Sequence, residues 1–207
     1  MRDNRSLHIG IFPNHLTAVL GGSERLAVAL ANSLLERGHR ISFFCNGFYG
    51  KKPALPLDSA IDLHFFNCLD DSNRSVQAAR RELLDTGLDV FISLHNLKFQ
   101  LFFACALMGT GIPYIYSELS APSLIEDLWN RAGRLAAMSG ADFIHMLLPE
   151  YRESLPVHFQ SHVRIIPATA PRHAPDTLPP LCQREKVIVS LGGLNDNKQV
   201  DILVRAF

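Results

Sequence analysis

The sequence has little that would tie it to a charged partner, a membrane or a disulfide scaffold. Twenty basic and twenty acidic side chains give a formal net charge of zero over 207 residues, with no tail or block of one sign. Nucleic acid, which calls for a basic patch or stripe, is therefore not an expected partner. Cys45, Cys68, Cys105 and Cys182 are scattered, with no C-x-x-C pair. That spacing fits reduced thiols in a cytosolic protein and neither a disulfide framework nor a zinc site. His8, His64 and His145 fall in strand-like runs with no ligand spacing, so no metal is expected. The most apolar helical stretch, residues 99–108, is about half of what a membrane span needs. Residues 1–6 are largely polar, and the apolar run after them is too short for the core and cleavage site of a signal peptide. These absences lead to the expectation of a cytoplasmic protein.

What is present is an alternation of short apolar runs with amphipathic stretches. Strand-like runs occupy 7–12, 41–45, 61–66, 90–94, 114–117, 143–147 and 163–166, and helix-like runs 23–37, 74–86, 97–108, 124–138 and 150–155. Gly38, Gly87, Gly109 and Gly140 follow helical segments, where C-caps belong. Several strands are apolar throughout, as expected when helices cover both faces of a parallel sheet. The pattern predicts an α/β domain with a doubly wound, mainly parallel, Rossmann-like sheet.

Gly21-Gly22-Ser23-Glu24-Arg25 stands between the first strand and the first helix. Strand, glycine loop and helix together aim unpaired backbone N–H groups at an anion. Ser23 suits an N-cap and Glu24 a first turn. The alternative is a tight βα connection with no ligand. Dinucleotide oxidoreductases share the fold class, but they need G-x-G-x-x-G directly after the first strand and an acidic residue ending the second. Here an eight-residue loop, 13–20, intervenes, and Cys45-Asn46 ends the second strand.

The texture changes at Pro167. Five prolines between 167 and 180 exclude a helix interior or a central strand, so 167–185 reads as a linker. A new strand is expected at 186–191, a turn at Gly192-Gly193 and a helix over 201–207. A lone strand and part of a helix cannot bury their apolar faces. The expected organisation is a Rossmann-like domain over 1–166, a linker over 167–185, and the beginning of a second domain over 186–207.

In order, four segments resemble the N-terminal part of glycosyltransferase family 4, retaining enzymes with two Rossmann-like domains in the GT-B fold. They are Gly21-Gly22-Ser23-Glu24-Arg25 with the helix after it, residues 89–93 with 113–118, residues 163–167, and residues 187–207. Within the family the likeness is greatest to enzymes that build bacterial surface polysaccharide or lipopolysaccharide. The resemblance implies transfer of a sugar from a nucleotide-diphosphate donor to a glycan or lipid-linked acceptor. It implies no cofactor, and allows peripheral contact at the inner face of the membrane. Gly21 and Gly22 would face the donor diphosphate, and Lys198 matches the family's phosphate-binding lysine. Gly193 stands where an arginine is expected, and a lone lysine does not reproduce that bidentate contact. The family's histidine at the end of a central strand is replaced here by Leu119 or a neighbour. His95 and Glu118, at the carboxyl ends of two strands, are the candidate catalytic residues. Each has a plainer role open to it: His95 as a cap or core hydrogen-bond partner, Glu118 as a partner of the next helix. Of the remaining features, Arg80-Arg81 is expected on a solvated face. Leu124, Ile125, Leu128 and Trp129 are expected in core packing, with an acceptor groove as the sharper alternative.

Overall fold

The computed structural model describes residues 5–14, 16, 21–46, 53–66, 72–94, 97–124, 128–168, 187 and 200–206. The chain divides into two compact units, Met1–Thr169 and Ala170–Phe207.

In the first unit seven strands form one sheet: β1 (His8–Asn14), β2 (Arg40–Asn46), β3 (Asp62–Phe66), β4 (Val90–Ser93), β5 (Tyr114–Glu118), β6 (Phe143–Met146) and β7 (Val163–Ile165). Their order is β3-β2-β1-β4-β5-β6-β7, and every adjacent pair is parallel. Six helices connect them: α1 (Gly22–Glu36), α2 (Asn73–Thr86), α3 (Leu97–Leu107), α4 (Leu128–Ser139), α5 (Pro149–Glu153) and α6 (Val157–Gln160). A 3-10 turn covers Pro122–Leu124. All seven strands read from the sequence are present. α6 went unread because four residues are too short to show a helical period. In the second unit the described element is α7 (Val200–Ala206). The expected strand at 186–191, apart from Val187, and most of the proline-rich stretch lie outside the described residues.

The sheet separates two cores. On one face Phe12, Phe44, Phe91, Tyr114, Tyr116, Ile144 and Met146 pack with α2, α3 and α4. Their rings interlock: Phe12 and Phe103 stand 4.6 Å apart between centroids, and Phe91 and Phe103 4.8 Å. On the other face Ile9, Ile11, Ile41 and Phe43 meet Ala27, Val28 and Ala31 of α1. Fully buried rings of this kind cost about 3–5 kcal/mol each when truncated to alanine. Gly10 is part of the packing, because a Cβ there would stand 2.7 Å from Leu88 Cδ1 and 2.8 Å from Phe91 Cδ2.

The glycines after helices have two different roles. Gly87 caps α2 in the left-handed region at φ 68°, with its N–H donating to Leu84 O. Gly140 does not take positive φ. Instead it lets α4 approach α3, where a Cβ would stand 2.9 Å from Ala104 Cβ. Arg80 also departs from the expected solvated face. Its guanidinium donates to the carbonyls of Ala106 and Met108 at the C-terminal end of α3, satisfying acceptors the helix leaves open. Arg81 is exposed, as expected.

Candidate functional site

The strand order fixes where a ligand can bind. The chain runs outward from β1 through β2 to β3, returns through α2 to β4 beside β1, and then runs outward the other way. The loops after β1 and β4 therefore diverge, and open sheets of this kind bind ligands in that crevice at their carboxyl edge. The loop after β1 ends at Gly21 and Gly22. His95 follows β4 in sequence but lies outside the described residues. Glu118 is the last residue of β5, next in the sheet.

Gly21, not Ser23, is the N-cap of α1, at φ −95° and ψ −170°. Glu24 reaches back: its Oε2 accepts the Gly21 N–H at 2.8 Å and the Ser23 hydroxyl at 2.9 Å. This is half of a capping box. Gly21 has no side chain to complete it, and the N–H groups of Gly22, Ser23 and Glu24 have no carbonyl within the helix to bond. The glycine pair thus divides its tasks. A Cβ on Gly21 would come within 3.0 Å of Glu24 Oε2, whereas one on Gly22 would meet none of the described residues within 4 Å. Gly21 admits the carboxylate, and Gly22 adds no side chain in front of amides that have no acceptor within the helix. The Glu24 side chain is buried and already places negative charge at the positive end of the helix. A bound anion would feel both that charge and the N–H donors.

Glu118 is held in a buried ion pair. Arg134 of α4 donates from Nε to Oε2 and from Nη2 to Oε1, both at 2.7 Å, and the Glu118 and Arg134 side chains are 3% and 6% exposed. The Tyr116 hydroxyl also donates to Oε2, at 3.3 Å, and Arg134 Nη2 reaches Ser154 Oγ at 3.2 Å. Burial, followed by the Glu118 charge, pushes the Tyr116 hydroxyl well above its ordinary pKa, so it stays protonated and donates. One guanidinium thus joins the end of β5, α4 and the C-cap of α5. Sequence reading missed Arg134. The available signal was its place on the stripe shared with Ala137 and Met138, three and four residues on.

The remaining candidates lie outside the described residues or are already engaged within the sheet. Lys198 and Gly193 lie outside them, as do Ile125 and the side chains of Leu124, Leu128 and Trp129. His145 is a satisfied sheet residue: its Nε2 donates to Ile166 O at 2.8 Å, which leaves Nδ1 to accept the Ser117 hydroxyl at 2.6 Å. His8 pairs with Ser42 at 2.8 Å and His64 with Glu82 at 2.7 Å. Cys45 and Cys105 are free thiols. Among the described residues no cluster of His, Cys, Asp and Glu could hold a metal ion, and no helix is long and apolar enough to cross a membrane. A polar cleft of ≈ 530 Å³ opens at the amino ends of β2 and β3, where Arg40 pairs with Asp62. It is at the opposite end of the strands from the crevice.

The strand order, the all-parallel pairing and the helices on the sheet define a Rossmann-like α/β domain of the kind that forms half of a GT-B fold. Two solved structures share this fold: an Anabaena protein, HepE, in complex with UDP and glucose, and the UDP-GlcNAc 2-epimerase of Methanocaldococcus jannaschii. The first superposes with a TM-score of 0.54 at 10% identity, over 78% of this chain and 44% of the other. The second gives a TM-score of 0.52 at 9% identity, over 78% and 45%. In sequence, the chain is similar to an uncharacterized glycosyltransferase of Haemophilus influenzae, at 29% identity over 209 residues. The alignment takes in 96% of this chain and 57% of that relative, so the chain spans little more than half of the relative's length. No protein-family model matches the chain.

Proposed function

We propose that this chain is the acceptor-side part of a retaining glycosyltransferase that moves a sugar from a nucleotide-diphosphate donor to a glycan or lipid-linked acceptor. The observation that carries the reading is the likeness to the Haemophilus glycosyltransferase along almost the whole chain. The crevice at the carboxyl edge supports it, because Gly22 carries no side chain beside three amides that have no acceptor within the helix. UDP and glucose are what the Anabaena structure holds, and a nucleotide sugar is the donor class proposed here.

In such a reaction the leaving diphosphate gains charge as the glycosidic bond breaks, and preorganised N–H donors and cations stabilise it. Gly21 and Gly22 would present the backbone, and Lys198 would supply the cation. His95, in the loop after β4, is the side chain proposed to meet the transferred sugar or the acceptor. Glu118 would act as a carboxylate fixed by Arg134. The sugar, the nucleotide, membrane contact and a role in surface-polysaccharide synthesis stay within this proposal.

A second reading, a non-catalytic relative that binds an acceptor without turnover, is favoured by Gly193 in the expected arginine position. The test is calorimetric titration with UDP-glucose and other nucleotide sugars, followed by a transfer assay, on the protein expressed through the rest of its reading frame. Binding with transfer is expected. Gly22→Val should abolish donor binding while leaving the thermal midpoint close to that of the parent. Unchanged affinity in that variant would remove the glycine loop from the site. Acceptor binding without turnover would establish the second reading.

A further inference from the structure

The two strands beside the crevice do not end together. β4 stops at Ser93, which stands opposite Tyr116, whereas β5 runs on to Glu118. Ladder bonds between parallel strands recur at every second residue, and here the Phe91 N–H donates to Pro113 O at 2.9 Å. Counted forward in the same steps, Ser117 O is the first acceptor on this side of β5 that β4 is too short to reach. Ser117 is buried, and a buried carbonyl without a donor costs about as much as a lost hydrogen bond. Gln100 of α3 meets it, donating from Nε2 to Ser117 O at 2.7 Å. β5 holds Gln100 in return, since the Tyr114 hydroxyl donates to the Gln100 carbonyl at 3.2 Å. Between Phe99 and Leu107, Gln100 is the single amide or charged side chain of α3, and it is buried. Packing alone would be served by leucine, which would leave Ser117 O unmet.

We propose that Gln100 is a positioning residue of the crevice: its side-chain amide replaces the strand donor that β4 no longer supplies, and so fixes the peptide that joins Ser117 to Glu118. The end of β5 is then held from three elements. Gln100 of α3 holds its backbone, Arg134 of α4 its last carboxylate, and His145 of β6 the Ser117 hydroxyl. Of the three, the Gln100 bond crosses the side of β5 that β4 has vacated, which faces the switch point between β1 and β4. A ligand can enter beside the end of β5 because no strand lies there, and the end stays in place because an amide does. The catalytic consequence rests on the transfer activity proposed above; the clamp itself does not.

The experiment uses the protein expressed through the rest of its reading frame. Gln100→Met keeps the length of the side chain and removes the donor, and Gly10→Ala, a core variant away from this edge, controls for lost stability. Backbone hydrogen exchange over 114–120 should rise about tenfold or more in Gln100→Met and by about twofold or less in Gly10→Ala. In the parent, nuclear magnetic resonance should show the Gln100 side-chain amide exchanging about 100-fold more slowly than an exposed glutamine. With a nucleotide sugar that the parent turns over, Gln100→Met should lower kcat about tenfold or more and leave the donor KM within about twofold, because the proposed phosphate contacts are at Gly21 and Gly22. Unchanged exchange in Gln100→Met, or a freely exchanging Gln100 amide in the parent, would overturn the clamp. Parent-like kcat in a variant that shows the exchange change would overturn the positioning role, and so would an equal fall in Gly10→Ala. A parent that turns over no nucleotide sugar would defeat the transfer reading instead, and the two exchange measurements would then decide the clamp alone.

Discussion

Arg134 is the side chain whose loss should be felt most. Arg134→Met keeps the aliphatic stem but removes three hydrogen bonds: two to the Glu118 carboxylate and one to Ser154. Glu118 is then left as a carboxylate 3% exposed, with the Tyr116 hydroxyl at 3.3 Å as its remaining donor among the described residues. Breaking one side of a buried pair costs about 3–5 kcal/mol. For a unit the size of Met1–Thr169, in which each kcal/mol moves the midpoint by about 2–4 °C, that is a fall of about 6–20 °C. The pair itself need not be a net gain, since its desolvation offsets most of its attraction. Glu118→Met combined with Arg134→Met should therefore recover most of the loss, to within about 2 kcal/mol of the parent, and the cycle should show strong coupling. Urea and thermal unfolding followed by far-ultraviolet circular dichroism measure all four proteins. A single variant within about 1 kcal/mol of the parent, or a double variant no better than the single, would refute the reasoning. If Glu118 also takes part in transfer, the double variant will be folded and inactive.

Gly10→Ala should destabilise by about 1–3 kcal/mol in the same unfolding assay, because its Cβ would overlap Leu88 and Phe91. Burial, helped by the Arg40 charge, lowers the His8 pKa below its ordinary 6.5, so the unfolded chain takes up that proton at higher pH than the fold. The His8 contribution is then complete above about 6.5 and is lost as pH falls through the lowered folded value; His8→Gln should flatten the acid side of a midpoint-against-pH curve. Burial pushes the Cys45 thiol up to about 12, whereas Cys105 is exposed. Iodoacetamide at pH 8 with peptide mapping should modify Cys105 in the native protein and Cys45 only after denaturation.

The sequence by itself determined the class of fold and the position of every strand in the first unit, because those depend on local periodicity and turn chemistry. Runs such as Ile41–Phe43–Phe44–Cys45 are apolar on both faces, and Gly87 closes α2 in the left-handed region that glycine enters without strain. It also placed Gly21, Gly22 and Glu118 at strand or helix ends, and the alternation implied that those ends share one edge. Other features needed the strand order and the packing of helices on the sheet. The Glu118–Arg134 pair joins residues sixteen apart in sequence, and nothing local to either marks the other as its partner. Gly140 reads as a helix cap until Ala104 of a different helix is seen against it. Glu24 reads as a favourable first-turn charge, and only its folded backbone shows the carboxylate turned back onto Gly21. Periodicity states which residues want to be buried; what buries them is decided when separated segments meet in three dimensions.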